Sequence, residues 1–262
     1  MDAIKTKLNE EKTECLIIGK SNVIQRLAIS ELLINDTVIK PQNVIKDLGV
    51  YIDKHLLFKD QINHVVRVAS YHLRNISFVK KYLDEKTVHM LIHNHVISRL
   101  DYCNSIYYGL PNYLLKKMQY VINRAARLIK GLPSHERITP VLIELHWLPI
   151  KARIIYKICT LTYQVLKCGE PKYLKDHLHD FYVDTSMVLR HNDDQNRLVE
   201  PRSNTNLGFR AFARCAPRLY NKLPICIKNC ENLSTFKKKL KTHLFNDAYD
   251  VGDLSINPPY RV

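Results

Sequence analysis

A few residue groups in this sequence have types and spacings that chemistry could use. His89, His93 and His95 form H-x3-H-x-H. The i, i+4 pair falls on one helical face and is a spacing that holds zinc. Met90 stands where a zinc protease of the H-E-x-x-H kind needs glutamate, so solvated or core histidines are the better reading of the group. Cys226 and Cys230 lie one helical turn apart, but no second Cys/His pair follows at finger spacing, so structural thiols are the simpler reading. Asp193-Asp194 is the kind of carboxylate pair that two-metal polymerases use. Its neighbours are all polar, with no strand to fix it, so it reads as loop. No G-x-G-x-x-G, phosphate-loop glycine run or G-x-S-x-G is present. Local motifs therefore name no catalytic residue, no metal ligand and no cofactor.

Cations are the stronger signal. The 262 residues carry 40 Lys+Arg against 25 Asp+Glu, a formal net charge of +15. Residues 1–60 are neutral, whereas residues 112–168 hold ten Lys/Arg against two Asp/Glu and are +8. Tyr102, Tyr107, Tyr108, Tyr113 and Tyr120 are interleaved among the basic helical segments. Basic helical faces with aromatic rings between them suit nucleic-acid backbone, although a lysine face is more often only solvated.

Those cations need elements to position them. Hydrophobic residues make up 46% of the chain, which supports a packed core rather than wholesale disorder. Seven cysteines and no charged-then-apolar leader argue against a secreted disulfide scaffold. No apolar run reaches the roughly 18 residues of a membrane span. The expectation is a soluble intracellular protein, cytoplasmic or nuclear, with no membrane partner.

Residues 14–19 read as a short buried strand ended by Gly19. Residues 31–39 read as a hairpin around Asn35-Asp36, closed by Pro41, and residues 44–53 as one strand with a bulge or close backbone approach at Gly49. The strand signal ends there. From Lys59 the period becomes 3.6, with Ile62, Val65, Val66, Ala69, Leu73, Ile76 and Val79 on one face and Arg67, Arg74 and Lys81 on another. A second helix covers about 86–99. A third, about 113–130, is capped by Asn112 and stopped by Gly131. It places Leu114, Met118, Val121, Ile122, Ala125, Leu128 and Ile129 opposite Lys116, Lys117, Arg124, Arg127 and Lys130. A fourth covers about 151–167, with Ile154, Ile155, Ile158, Leu161, Thr162, Val165 and Leu166 inward. Residues 180–208 read as a polar loop, and 209–220 as a short helix or strand ending at Pro217. A last helix, about 235–248, is capped by Ser234, with Phe236, Leu240 and Leu244 inward and Lys237, Lys238, Lys239 and Lys241 outward. The fold class is α+β, predominantly α-helical.

Several strings resemble the reverse transcriptase of non-LTR retrotransposons, the jockey-like and chicken-repeat-like LINE elements. Leu8-Asn9-Glu10-Glu11-Lys12-Thr13-Glu14 is similar to that family's Leu-Asn-Pro-Asp-Lys-Thr-Glu, and Asp47–Asp53 to the strand after its catalytic loop. The most specific string is Ser98-Arg99-Leu100-Asp101-Tyr102-Cys103-Asn104, followed by Gly109-Leu110-Pro111. Asn123–Ile129 is similar to its Asn-x-Ala-Ala-Arg-Leu, with Ile138–Leu142 and Leu145–Pro149 at the expected separation. Arg210-Ala211-Phe212, Ala216-Pro217, Tyr220-Asn221 where the family has Trp-Asn, Leu223-Pro224, and Phe236-Lys237 through Leu244-Phe245 complete a resemblance spanning residues 1–248.

The resemblance implies a small N-terminal β remnant of a polymerase palm (residues 1–58), a helical thumb-like bundle (59–168) and a C-terminal helical region with a polar loop and a basic last helix (169–262). The family's Tyr/Phe-Ala-Asp-Asp string lies upstream of the Lys-Thr-Glu motif, before this sequence starts. Mg²⁺ is thus expected only in the intact parent polymerase, and the chain alone is expected not to polymerise. The partner implied is RNA, DNA or an RNA–DNA duplex, held by its backbone. Arg67, Arg74, Lys117, Arg124 and Arg127 are the expected phosphate contacts, with a second basic cluster at Lys237 and Lys238. Leu48–Asp53 and the hairpin before it resemble the primer-gripping region. Two rivals are a domesticated protein-interaction scaffold and a non-functional relic.

Overall fold

A computed structural model describes residues 13–19, 21–27, 31–34, 37–179 and 197–249. It is mostly helical with little strand, which agrees with the α+β, predominantly helical expectation. Asp193 and Asp194, most of the polar loop (180–196), Leu8–Lys12 and the Asn35-Asp36 turn lie outside the described residues. The chain divides into two units, residues 1–65 and 66–262.

The first unit holds all six strands among the described residues: β1 (Cys15–Leu16), β2 (Leu32–Ile34), β3 (Thr37–Ile39), β4 (Pro41–Gln42), β5 (Val44–Asp47) and β6 (Val50–Asp53). β2 and β3 pair antiparallel with Ile34 opposite Thr37, the pairing the hairpin expectation requires. Pro41 does not merely close it; as part of β4 it pairs in parallel with Cys15 of β1. The expected single strand over 44–53 is instead a second hairpin, β5 against β6, with Asp47 opposite Val50. Leu48 at φ 43 and Gly49 at φ 85 make its two-residue turn. Left-handed φ at both central positions matches the twist of paired strands, which is why glycine stands there. A helix that periodicity did not reveal, α1 (Ser21–Leu27), lies between β1 and β2.

Asp53, the last residue of β6, organises the turn into α2 (Lys59–Val79). Its carboxylate accepts from the backbone N–H groups of His55, Leu57 and Phe58, the last at 2.6 Å. Gln61, only 1% exposed, accepts from the Tyr51 N–H at 3.0 Å through its Oε1.

The second unit begins within α2. Ala69, Leu73 and Ile76 are buried as the spacing requires; Val79 is exposed because the helix ends there. α3 (Glu85–Ile92) continues through a π-helical turn (His93–Ile97) into α4 (Ser98–Asp101). α5 (Asn112–Lys130) buries Leu114, Met118, Val121, Ile122, Ala125 and Ile129 along one stripe. Its N-cap is Pro111 rather than Asn112 and offers no side-chain acceptor, while Gly131 at φ 70 ends it as expected. α6 (Thr139–Glu144), unmarked by periodicity because it is only six residues long, precedes α7 (Ile150–Cys168).

α7 is the hub of this unit. Ile150, Ala152, Ile154, Ile158, Cys159, Thr162, Tyr163 and Val165 are all buried, so its surroundings are nearly all protein. Packed on it are α10 (Phe212–Tyr220) and α12 (Leu233–Tyr249), which follow α8 (Lys172–Lys175) and α9 (Asn206–Arg210) and flank α11 (Ile225–Lys228). Tyr163 stacks on Phe236, centroids 4.1 Å apart, and its hydroxyl donates to the Cys230 carbonyl at 2.5 Å. Phe236, Leu240 and Leu244 are buried as expected. Two local expectations change. Pro217 sits inside α10 rather than ending it; the helix resumes, with Asn221 N–H donating to the Pro217 carbonyl at 2.9 Å. The α12 cap is Asn232, whose Oδ1 accepts from Thr235 N–H at 2.8 Å and from Ser234 Oγ at 3.1 Å. Among the described residues no helix is long and apolar enough to cross a membrane.

Candidate nucleic-acid interface

In the second unit α2 and α5 wall a groove of about 930 Å³. The 3.6 period explains its composition. Positions 67, 70, 71, 74 and 77 share the face of α2 that is turned away from the buried Ala69–Leu73–Ile76 row, and they supply Arg67, Ser70, Tyr71, Arg74 and Ser77 to the groove. Positions 120, 123, 124 and 127 do the same on α5 with Tyr120, Asn123, Arg124 and Arg127. Lys80 completes the cation set, its Nζ close to Gly131, where a Cβ would stand 3.3 Å from it. Among the described lining residues there are five Lys/Arg and no Asp or Glu.

Two of the groove's cations lie beside aromatic rings and a third donates to backbone. The Arg124 guanidinium lies 5.9 Å from the Tyr120 centroid, and that of Arg74 lies 5.7 Å from the Phe78 centroid. Arg127 Nη2 donates to the Glu136 carbonyl at 3.1 Å. Tyr71 and Tyr120 remain 61% and 62% exposed.

Four of the expected contacts, Arg67, Arg74, Arg124 and Arg127, thus come together in one groove. Lys117 is exposed on the same stripe of α5, two turns before Arg124, but outside the groove lining. Lys237 and Lys238 lie on α12 and do not join it. Lys80, Tyr71 and Tyr120 were not among the expected contacts. The i, i+4, i+7 spacing of Arg67, Tyr71 and Arg74 carried the signal for Tyr71. Lys130 has a different role. Its Nζ pairs with Glu85 at 2.5 Å and Glu144 at 2.8 Å, tying α5 to α3 and α6. Hydrogen bonds to Glu144 and then Glu85 push its ammonium above the ordinary lysine range.

Of the histidine triplet, His89 and His93 both line a second cavity of this unit, and His95 does not. His95 stacks on His72 at 5.5 Å, while the His89 ring lies 5.8 Å from that of Trp147. Cys226 is exposed and Cys230 buried, with the Cys230 thiol donating to the Cys226 carbonyl at 3.7 Å. No group of three or more metal-ligating side chains is found among the described residues. Comparison of the chain with protein-family models, curated proteins and solved structures finds no match.

Proposed function

We propose that the α2–α5 groove grips the backbone of a nucleic-acid duplex without reading its sequence, as the thumb of a non-LTR reverse transcriptase does. One observation carries this reading: five cations and no carboxylate among the described residues of a single groove. Self-repulsion among clustered cations is relieved by a polyanion, and phosphate contacts release counterions from the duplex. Arginine dominates the cation set, and its planar donor fork fits phosphate oxygens. Exposed Tyr71 and Tyr120 add apolar surface that can pack on backbone sugars whatever the sequence. An RNA–DNA hybrid near A-form hides its deep groove and presents phosphates and a shallow minor groove, which suits backbone grip. The ordered strings shared with the reverse-transcriptase family, Ser98–Asn104 and Asn123–Ile129 above all, support the same reading from the sequence side.

Anisotropy titrations of labelled RNA–DNA hybrids of unrelated sequence test it. The expected result is equal affinity for all sequences, with log affinity falling steeply and linearly with log salt. Salt-independent binding, or none at low salt, would remove the reading and favour a protein-interaction scaffold.

A further inference from the structure

A second cavity, of about 490 Å³, lies among α3, the π-helical turn, α7 and α12. Its charge pattern is unusual. Arg153 Nη1 donates to Asp101 Oδ2 at 2.7 Å and its Nε to the Leu148 carbonyl at 2.8 Å. Asp101 is the sole acid among the described lining residues, and this pair uses it up. Lys157, one turn beyond Arg153, and Lys241, from α12, bring two more ammonium groups to the same hollow. Burial first, and the Arg153 charge second, hold the Lys241 ammonium below its ordinary range. Crowded like charges in a partly dried cavity are costly, and an anion offsets that cost.

The rest of the lining is not that of a bare anion site. Leu145, Leu148, Trp147 and His146 form an apolar and aromatic part of the wall. His146 is held at φ 51, a left-handed conformation that a non-glycine residue adopts at a cost, and such strain concentrates at functional sites. Asn104, 2% exposed, also lines the cavity, and its Oδ1 is a buried acceptor without a donor. The volume falls within the range of about 300–1,000 Å³ typical of small-molecule sites, so one inorganic phosphate would leave most of it empty.

We propose that this cavity binds an organic phosphate of mononucleotide size, with its phosphate on Lys157 and Lys241 and its planar ring against Trp147 and His146. The site is separate from the α2–α5 groove and does not depend on the duplex reading.

Trp147 is the single tryptophan of the chain, so its emission, excited at the red edge, reports the cavity alone. The probes are uridine monophosphate, ribose 5-phosphate, inorganic phosphate and a short 5′-phosphorylated oligouridylate. Uridine monophosphate should give a saturable change, and K157A/K241A should weaken it about tenfold or more, the effect of losing charge-assisted hydrogen bonds. R67A/R74A should leave it unchanged while weakening duplex binding, which separates the two sites. Lys157 is exposed, so K157E alone keeps the fold and repeats the test if the double variant does not. Comparable binding of the oligouridylate identifies the phosphorylated end of a strand as the ligand; binding of the mononucleotide alone identifies a free nucleotide. The proposal is overturned by no saturable response to the mononucleotide. An equal response to inorganic phosphate, or unchanged affinity in K157A/K241A and K157E, overturns it too.

Discussion

The α2–α5 groove and the α12 lysine run look alike in sequence and differ in space. Both place cations opposite an apolar stripe. On α12, Lys238 and Lys239 are exposed, and Lys239 Nζ donates to the Cys226 carbonyl at 3.3 Å. On α2 and α5, cations from two helices face a common hollow with no acid among its described lining residues. A single basic helix makes a solvated face; two facing basic helices make a concave field that concentrates a polyanion. Lys130 marks the other limit, because two carboxylates turn a cation of the same helix α5 into a brace.

The variants that would break this contrast fall in order of size. R67A/R74A/R124A should weaken hybrid binding about 100-fold near physiological salt, as expected for three lost phosphate contacts. The same loss from K237A/K238A would erase the contrast. K130A should lower Tm by a few degrees and leave hybrid affinity alone, because its partners are Glu85 and Glu144. K237A/K238A should change affinity by less than about twofold, because neither lysine lines the groove.

Thiol labelling gives the smallest effect. Exposed Cys168 and Cys226 should react with iodoacetamide at pH 8, read by mass spectrometry, whereas Cys159 and Cys215 should not. Burial pushes the Cys215 thiol up to about 12, so it stays protonated in the fold. Its raised value stabilises the fold fully below the ordinary thiol range and loses that contribution as pH climbs from about 9 toward 12. Bound hybrid should leave the Cys226 rate unchanged if the grip is on α2 and α5, and slow it if the grip is on α12.

How much the sequence showed depends on whether a signal was local. The apolar stripes of α2, α5 and α12 were legible because burial on one face imposes a 3.6 period; Leu114, Met118, Val121, Ile122, Ala125 and Ile129 are buried as expected, whereas Leu128, expected inward, is half-buried and lines the groove. α7 was less so, since a helix buried nearly all round loses its stripe, and Cys159 and Tyr163 went unmarked as core. The β5–β6 hairpin was hidden because a two-residue turn with Leu48 as its first residue breaks no hydrophobic alternation; only Gly49 hinted at it. Each wall of the groove was readable by itself, yet that the two walls face each other is a tertiary fact. The Arg153–Asp101 pair spans 52 residues and leaves no spacing for a reader to find.

The most direct measurement is the salt dependence of hybrid binding for the wild type and R67A/R74A/R124A side by side. The groove account predicts that the slope of log affinity against log salt becomes shallower by roughly 2 to 3, one counterion equivalent for each arginine removed. Equal slopes for the two proteins would contradict it.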